Sequence, residues 1–189
     1  MRAVSGTIKL LAACAALGIS YCQPQAGVQL EKVRGRYTNT AYLYSVVVPP
    51  SVAGYRNAAP APNHGFGIDL ETDRSHIWVD GSFDVLDLRT SEAIAADTAK
   101  TFYETDGLSL VKDTAMTLSG IPARELTMQS DKPHAKLGFS HCVVAARPLP
   151  GRPVGIVYTI CLQGRADNDT AENVFGSLVR SFQTIDLPE

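Results

Sequence analysis

The chain has little of what chemistry is usually built on, and it has no long apolar segment. Among its 189 residues are four cysteines, four histidines and one tryptophan. The apolar run from Leu10 to Ile19 is ten residues long, where a membrane-spanning helix needs about 20. Lys and Arg number 17 against 19 Asp and Glu, a formal charge of −2. That balance excludes the basic footprint expected of a nucleic-acid partner and a polybasic patch for anionic lipid. There is no CxxC pair, which excludes a thioredoxin-like redox centre. Neither HxxxH nor HExxH occurs, and no cysteine lies at metal-ligand spacing from a histidine, so no metal or other cofactor is expected. The GxSxG elbow of a serine hydrolase and a phosphate-cradling glycine loop before a helix are missing as well.

What is present begins at the N-terminus. Arg2 and Lys9 precede the apolar run, and Ser20, Tyr21 and Cys22 follow it, the layout of a secretory signal peptide. Residues 1–22 are therefore expected to be a leader cleaved near Ser20 or Cys22, and the protein to be periplasmic or secreted. Leu11-Ala12-Ala13-Cys14 matches a bacterial lipobox letter by letter but sits too close behind Lys9. Ile19-Ser20-Tyr21-Cys22 has the right distance but a bulky Tyr21 beside the scissile bond. Cys22 is accordingly the first candidate for lipidation, Cys14 the second, and a membrane-anchored lipoprotein the alternative to a free protein. Without the leader 167 residues remain and the charge is −4, which suits one domain with a single core. Residues 23–40 read as a linker and 41–189 as one domain.

The leader takes Cys14 and Cys22 with it and leaves Cys142 and Cys161. Phe139–Ala146 and Val154–Leu162 are β-prone runs around the turn-dense Arg147–Pro153. A hairpin centred near residue 151 sets Ala146 by Val157, Val144 by Thr159 and Cys142 by Cys161. Directly opposed Cβ atoms stand about 4.5 to 5.5 Å apart, so a disulfide there needs some twist or a register offset. In an oxidising compartment the pair is expected to be bridged, with two reduced core cysteines as the alternative.

Tyr42–Val48 alternates as a strand up to Pro49-Pro50, and Ser51–Gly65 reads as a long surface loop. Phe66–Leu70 and His76–Asp80 predict a hairpin. Thr90-Ser91-Glu92 opens a helix whose Ile94, Ala95, Thr98, Ala99 and Phe102 share a face, ending near Gly107. Ser109–Leu118 and Ala123–Met128 predict a second hairpin through Ser119-Gly120-Ile121-Pro122. Asp169-Thr170-Ala171-Glu172 resembles a capping box, and Val174, Phe175, Leu178, Val179 and Phe182 form the stripe of a C-terminal helix. The class is α+β, with a mainly antiparallel sheet and two principal helices.

In element order the chain resembles the PsbP/Mog1-like sandwich family. The likeness lies in the mid-chain helix after "FDVLDLRTSEAIAADTAKTFY", the Ser-Gly-Ile-Pro-Ala turn at 119–123 and the closing helix ending "LVRSFQTI". It spans residues 40–185. Members include photosystem assembly factors, a Ran-binding protein and small exported bacterial lipoproteins, so the resemblance implies binding or scaffolding and no common reaction. No functional motif of the family can be matched residue by residue, and none is carried over.

Two function classes follow. The first is a non-enzymatic exported protein that binds another exported or envelope protein. Its aromatics Tyr42, Tyr44, Tyr55, Phe66, Trp78 and Phe83 lie in the N-terminal half, and His76 with Trp78 would form a partner patch if they face outward. The alternative for that face is cover by a helix. The second class is a small periplasmic hydrolase using the acidic hairpin at 69–87 (Asp69, Glu71, Asp73, Asp80, Asp84, Asp87) with His64 or His76. The bland reading of that hairpin is a solvated acidic face. For the four histidines, His64, His76, His134 and His141, surface or locally hydrogen-bonded residues are the default, His64 lying in a turn context and His141 before Cys142 on a strand.

Overall fold

A computed structural model describes residues 31–56, 64–70, 74–85, 88–132, 135–165 and 168–186. The leader with Cys14 and Cys22, and Glu71, Asp73, Asp87 and His134, lie outside the described residues. In chain order the elements are β1 (Lys32–Val33), β2 (Gly35–Asn39), β3 (Tyr44–Val48), β4 (Gly54–Arg56), β5 (Gly65–Leu70), β6 (Ser75–Asp84), α1 (Ser91–Asp106), β7 (Ser109–Leu118), β8 (Ile121–Gln129), β9 (Phe139–Pro148), β10 (Gly155–Gly164), α2 (Asp169–Ser181) and β11 (Gln183–Thr184). Eight strands form one sheet in the order β1-β4-β5-β6-β10-β9-β8-β7, and three form a second, β11-β3-β2. Every pairing described is antiparallel. The fold is more sheet-rich than a balanced α+β protein, with two helices as expected.

The two faces of the large sheet are buried differently. On one, Ile94, Ala95 and Phe102 of α1 meet Leu126, Met128, Cys142, Val144, Val157 and Cys161. On the other, Val174, Phe175 and Leu178 of α2 and the aliphatics of β3 meet Phe66, Ile77, Val79, Val143, Ile156, Tyr158 and Ile160. α1 lies over β7, β8 and β9, and α2 over β3, β6 and β10. The strands alternate with period two between these cores, which is why β6, β9 and β10 carry apolar residues on both faces.

Both helices start and stop where local chemistry says they should. The Thr90 hydroxyl accepts the Ala93 N–H, and Gly107 closes α1 in the left-handed region at φ 69°. α2 is capped by Asn168, not by Asp169: the Asn168 side chain accepts from the Thr170 and Ala171 N–H groups, and Asp169 becomes the first helical residue. An acid there still favours the positive end of the helix dipole.

Three further expectations are corrected. The segment read as linker contains β1 and β2, because Tyr37 packs against Tyr44 and Phe66 and Asn39 is buried. The Ser51–Gly65 loop contains β4, which joins β1 to β5. Pro122 lies inside β8 rather than in the turn, opposite Thr117 and one residue outside the β8–β9 pairing, where its missing N–H costs no ladder bond. The reversal is just Ser119-Gly120, both at positive φ (52° and 82°), as a type I′ hairpin requires.

Candidate functional site

The expected hairpin register is the observed one, with Ala146 by Val157, Val144 by Thr159 and Cys142 by Cys161. Cys142 and Cys161 are joined, with Cα atoms 4.1 Å apart, the close approach of a non-hydrogen-bonded pair. No register offset is needed. The pairing also reveals a continuous row across the large sheet: Lys32, Tyr55, Gly67, Trp78, Cys161, Cys142, Leu126 and Asp113 stand opposite one another from β1 to β7.

α1 covers the half of this row that holds the disulfide and leaves the other half open. Trp78 is only partly buried, reached by Phe102 of α1 with ring centroids 6.4 Å apart. The helix thus covers one edge of the residue, and neither of the two sequence readings describes the face completely. His76, two residues along β6, stacks on Trp78 at 5.9 Å with 45% of its side chain exposed. Its ring is fixed by Asp69 of β5, Nδ1 to Oδ1 2.6 Å. An ionised carboxylate only accepts, so Nδ1–H donates. Gly67 makes room for the ring: a Cβ there would come within 2.8 Å of His76 Cε1. Tyr55, exposed at 38%, flanks the same strip on β4. Tyr55, His76 and Trp78 therefore form an aromatic strip on the open half of the face, with Asp69 beside it.

The described residues of the hydrolase reading do not gather. His76 takes Asp69, while His64 packs against Tyr42 with tilted rings, centroids 5.0 Å apart, and lies 3.9 Å from Asp80. Burial pushes the Asp80 carboxyl up despite the His64 charge and the Gly81 N–H. Asp84 is engaged elsewhere, accepting from the Arg89 N–H and Nε. The three described acids of the hairpin, Asp69, Asp80 and Asp84, thus occupy separate settings.

His141 forms a cluster that the sequence did not show. Its Nε2 is 3.1 Å from Glu125 of β8, and its Nδ1 is 2.9 Å from Glu172 of α2. Both nitrogens face carboxylate acceptors, an arrangement that favours the imidazolium form. Burial opposes that charge, but hydrogen bonds and charge from Glu172 and then Glu125 outweigh it and raise the pKa. The ring also packs on Phe175 at 4.4 Å. This cluster ties α2 to the sheet. A cleft of about 640 Å³ is lined by none of these groups but by Ser130, Lys132, Ala135, Lys136, Gly138 and Arg165.

With the layers and register in place, the fold can be compared with solved structures. The solution structure of cyanobacterial PsbP (CyanoP) from Synechocystis sp. PCC 6803 aligns with a TM-score of 0.55, over 88% of this chain and 98% of that one, at 17% identity. The chain has a PsbP/Mog1-like fold. LpqN of Mycobacterium tuberculosis, described as involved in cell envelope biogenesis, aligns with a TM-score of 0.46 and 13% identity over 85% of this chain and 88% of its own. By sequence the chain matches no family model and no curated protein. At these identities the likeness speaks for the PsbP-like architecture alone, and no residue role passes with it.

Sequence reasoning had named His76 and Trp78 but not their setting. Tyr55 was visible only as one aromatic among several, since a three-residue strand is too short to show alternation. Gly67 acquires meaning only once β5 lies between β4 and β6. Arg165 lies some 30 residues from Lys132 and Lys136 in sequence, and no motif links them.

Proposed function

We propose that this chain is an exported, non-enzymatic protein that docks another exported or envelope protein on the open β4–β5–β6 half of its sheet. The observation that carries the reading is the strip of Tyr55, His76 and Trp78, left beside α1 on a face whose other half the helix covers. Aromatic side chains present large rigid areas at low entropic cost and dominate interface hot spots. Ordering His76 through Asp69 and seating it over Gly67 prepares the strip before a partner arrives, which lowers the cost of binding. Export is supported by the signal-like leader in the sequence and by the Cys142–Cys161 bridge, which suits an oxidising compartment. No helix among the described residues is long and apolar enough to cross a membrane.

A photo-crosslinking amino acid at position 55 tests the proposal in the host envelope, with one at Tyr103, an exposed α1 residue, as control. A single stoichiometric protein adduct at 55, absent at 103 and lost with Trp78→Ser, is expected. Equal labelling from both positions, or none from 55, would remove the reading. Mass spectrometry of the same material reports the mature N-terminus and any lipid on Cys22 or Cys14.

A further inference from the structure

Beyond the row of Met128, Ser140, Gln163 and His76, the sheet ends in the 640 Å³ cleft. Three cations, Lys132, Lys136 and Arg165, line it, and no carboxylate is among its described lining residues. In a chain with more acids than bases this is a local inversion of charge. Among the described residues none of the three cations takes part in an ion pair, whereas Arg56, Arg89, Lys100, Lys112, Arg124 and Arg147 all do.

The cations stand on a hydrogen-bonded frame. The Ser130 N–H donates to the Gly138 carbonyl (2.9 Å), the Gly138 N–H donates to the Gly164 carbonyl (2.9 Å), and the Lys132 N–H donates to the Ser130 hydroxyl (3.2 Å). Gly138 lies so close to the next strand that a Cβ would fall on the Arg165 carbonyl. The backbone at Ser130, Gly138 and Gly164 is thereby held together. Three positive charges lining one cleft, with no ion-pair partner among the described residues, raise the local potential and favour an anion. The guanidinium offers a planar fork matched to phosphate oxygens, and the two ammonium groups act as point charges. The volume lies in the range of small-ligand sites, well above what one inorganic ion fills.

We propose that this cleft binds the phosphate group of a small ligand or lipid headgroup, with Arg165 as the fork and Lys132 and Lys136 as flanking charges. The site is independent of the aromatic strip, so either reading can fail without the other.

The test is an amide-resolved NMR titration of the purified protein with inorganic diphosphate at ionic strength held constant with chloride. Saturable shifts confined to residues 130–138 and 164–165 are expected. A Lys136→Gln/Arg165→Gln double variant should weaken binding by about tenfold or more, as loss of charge-assisted hydrogen bonds implies. Lys100→Gln, on α1, should leave it unchanged. Lys132 is kept native because its ammonium also lies near Gly107 at the C-terminal end of α1. Co-sedimentation with phosphatidylglycerol against phosphatidylcholine vesicles separates the two sources. Recruitment to the anionic vesicles that the double variant abolishes identifies a headgroup, and diphosphate binding without recruitment identifies a soluble phosphate. If neither probe binds saturably, or both bind the double variant as they bind wild type, the proposal is overturned.

Discussion

His141 shows how much one residue can depend on contacts that sequence cannot display. In the chain it is a histidine beside a cysteine, and Glu172, 31 residues away, completes its surroundings only when α2 packs on the sheet. Because the folded pKa is raised above the ordinary 6.5, the cluster contributes its full stability below that value and loses it as pH rises through the raised one. The facing groups are Glu125 of β8 and Glu172 of α2, with Lys112 of β7 3.5 Å from Glu125. Denaturant unfolding of the wild type should therefore give a free energy that declines above pH 6.5 relative to His141→Gln; parallel pH profiles would show that the imidazolium contributes nothing. At Gly67 the expected effect is steric. Gly67→Ala should displace the half-exposed His76 ring from Trp78, read as a change in emission of the single tryptophan with little change in the unfolding midpoint. Glycine was legible there as a residue, but its reason was not, since the clash it avoids comes from the neighbouring strand.

Individual elements were more readable, because their signals are local. α1 follows its N-cap, apolar face and left-handed glycine closely, and the β9–β10 hairpin follows its turn. α2 is displaced by one residue at its start because Asn168, equally suited to cap, lies one position earlier. Asn168→Ala should cost about 0.5 to 2 kcal/mol, and Asp169→Ala clearly less, by denaturant midpoint. The reverse ranking would restore the capping box read from the sequence. In the β7–β8 turn, Ser119 tolerates its positive φ while its hydroxyl accepts the Thr184 N–H, which connects the turn to β11. The Cys142–Cys161 bridge spans 19 residues, and its loss in a Cys142→Ala/Cys161→Ala variant should destabilise by on the order of 3 kcal/mol. A mass gain of two hydrogens on reduction checks the bridge itself. β1, β2 and β4 escaped reading because strands of two to five residues with mixed polarity carry too few periods to be seen.

At the scale of the molecule, stability should be graded from the centre of the large sheet outward. β10 pairs with β6 and β9 and lies between the α1 and α2 cores, whereas β7 and β1 are edges and β7 is exposed along most of its length. Native-state hydrogen exchange should find the β10 amides opening only with global unfolding and those of β7 and β1 opening earlier. Uniform protection would contradict a layered core. The sequence by itself determined the two helices, the main hairpins, the disulfide partners and their register, and the antiparallel class, because caps, turn residues and apolar periodicity act over a few neighbours. Only the tertiary structure decided strand order, the small β11-β3-β2 sheet, and which half of the main sheet α1 leaves open. It alone assembled the aromatic strip, the His141 cluster and the basic cleft. Each joins residues from separate elements, and contacts at that distance arise from packing, which no local pattern records.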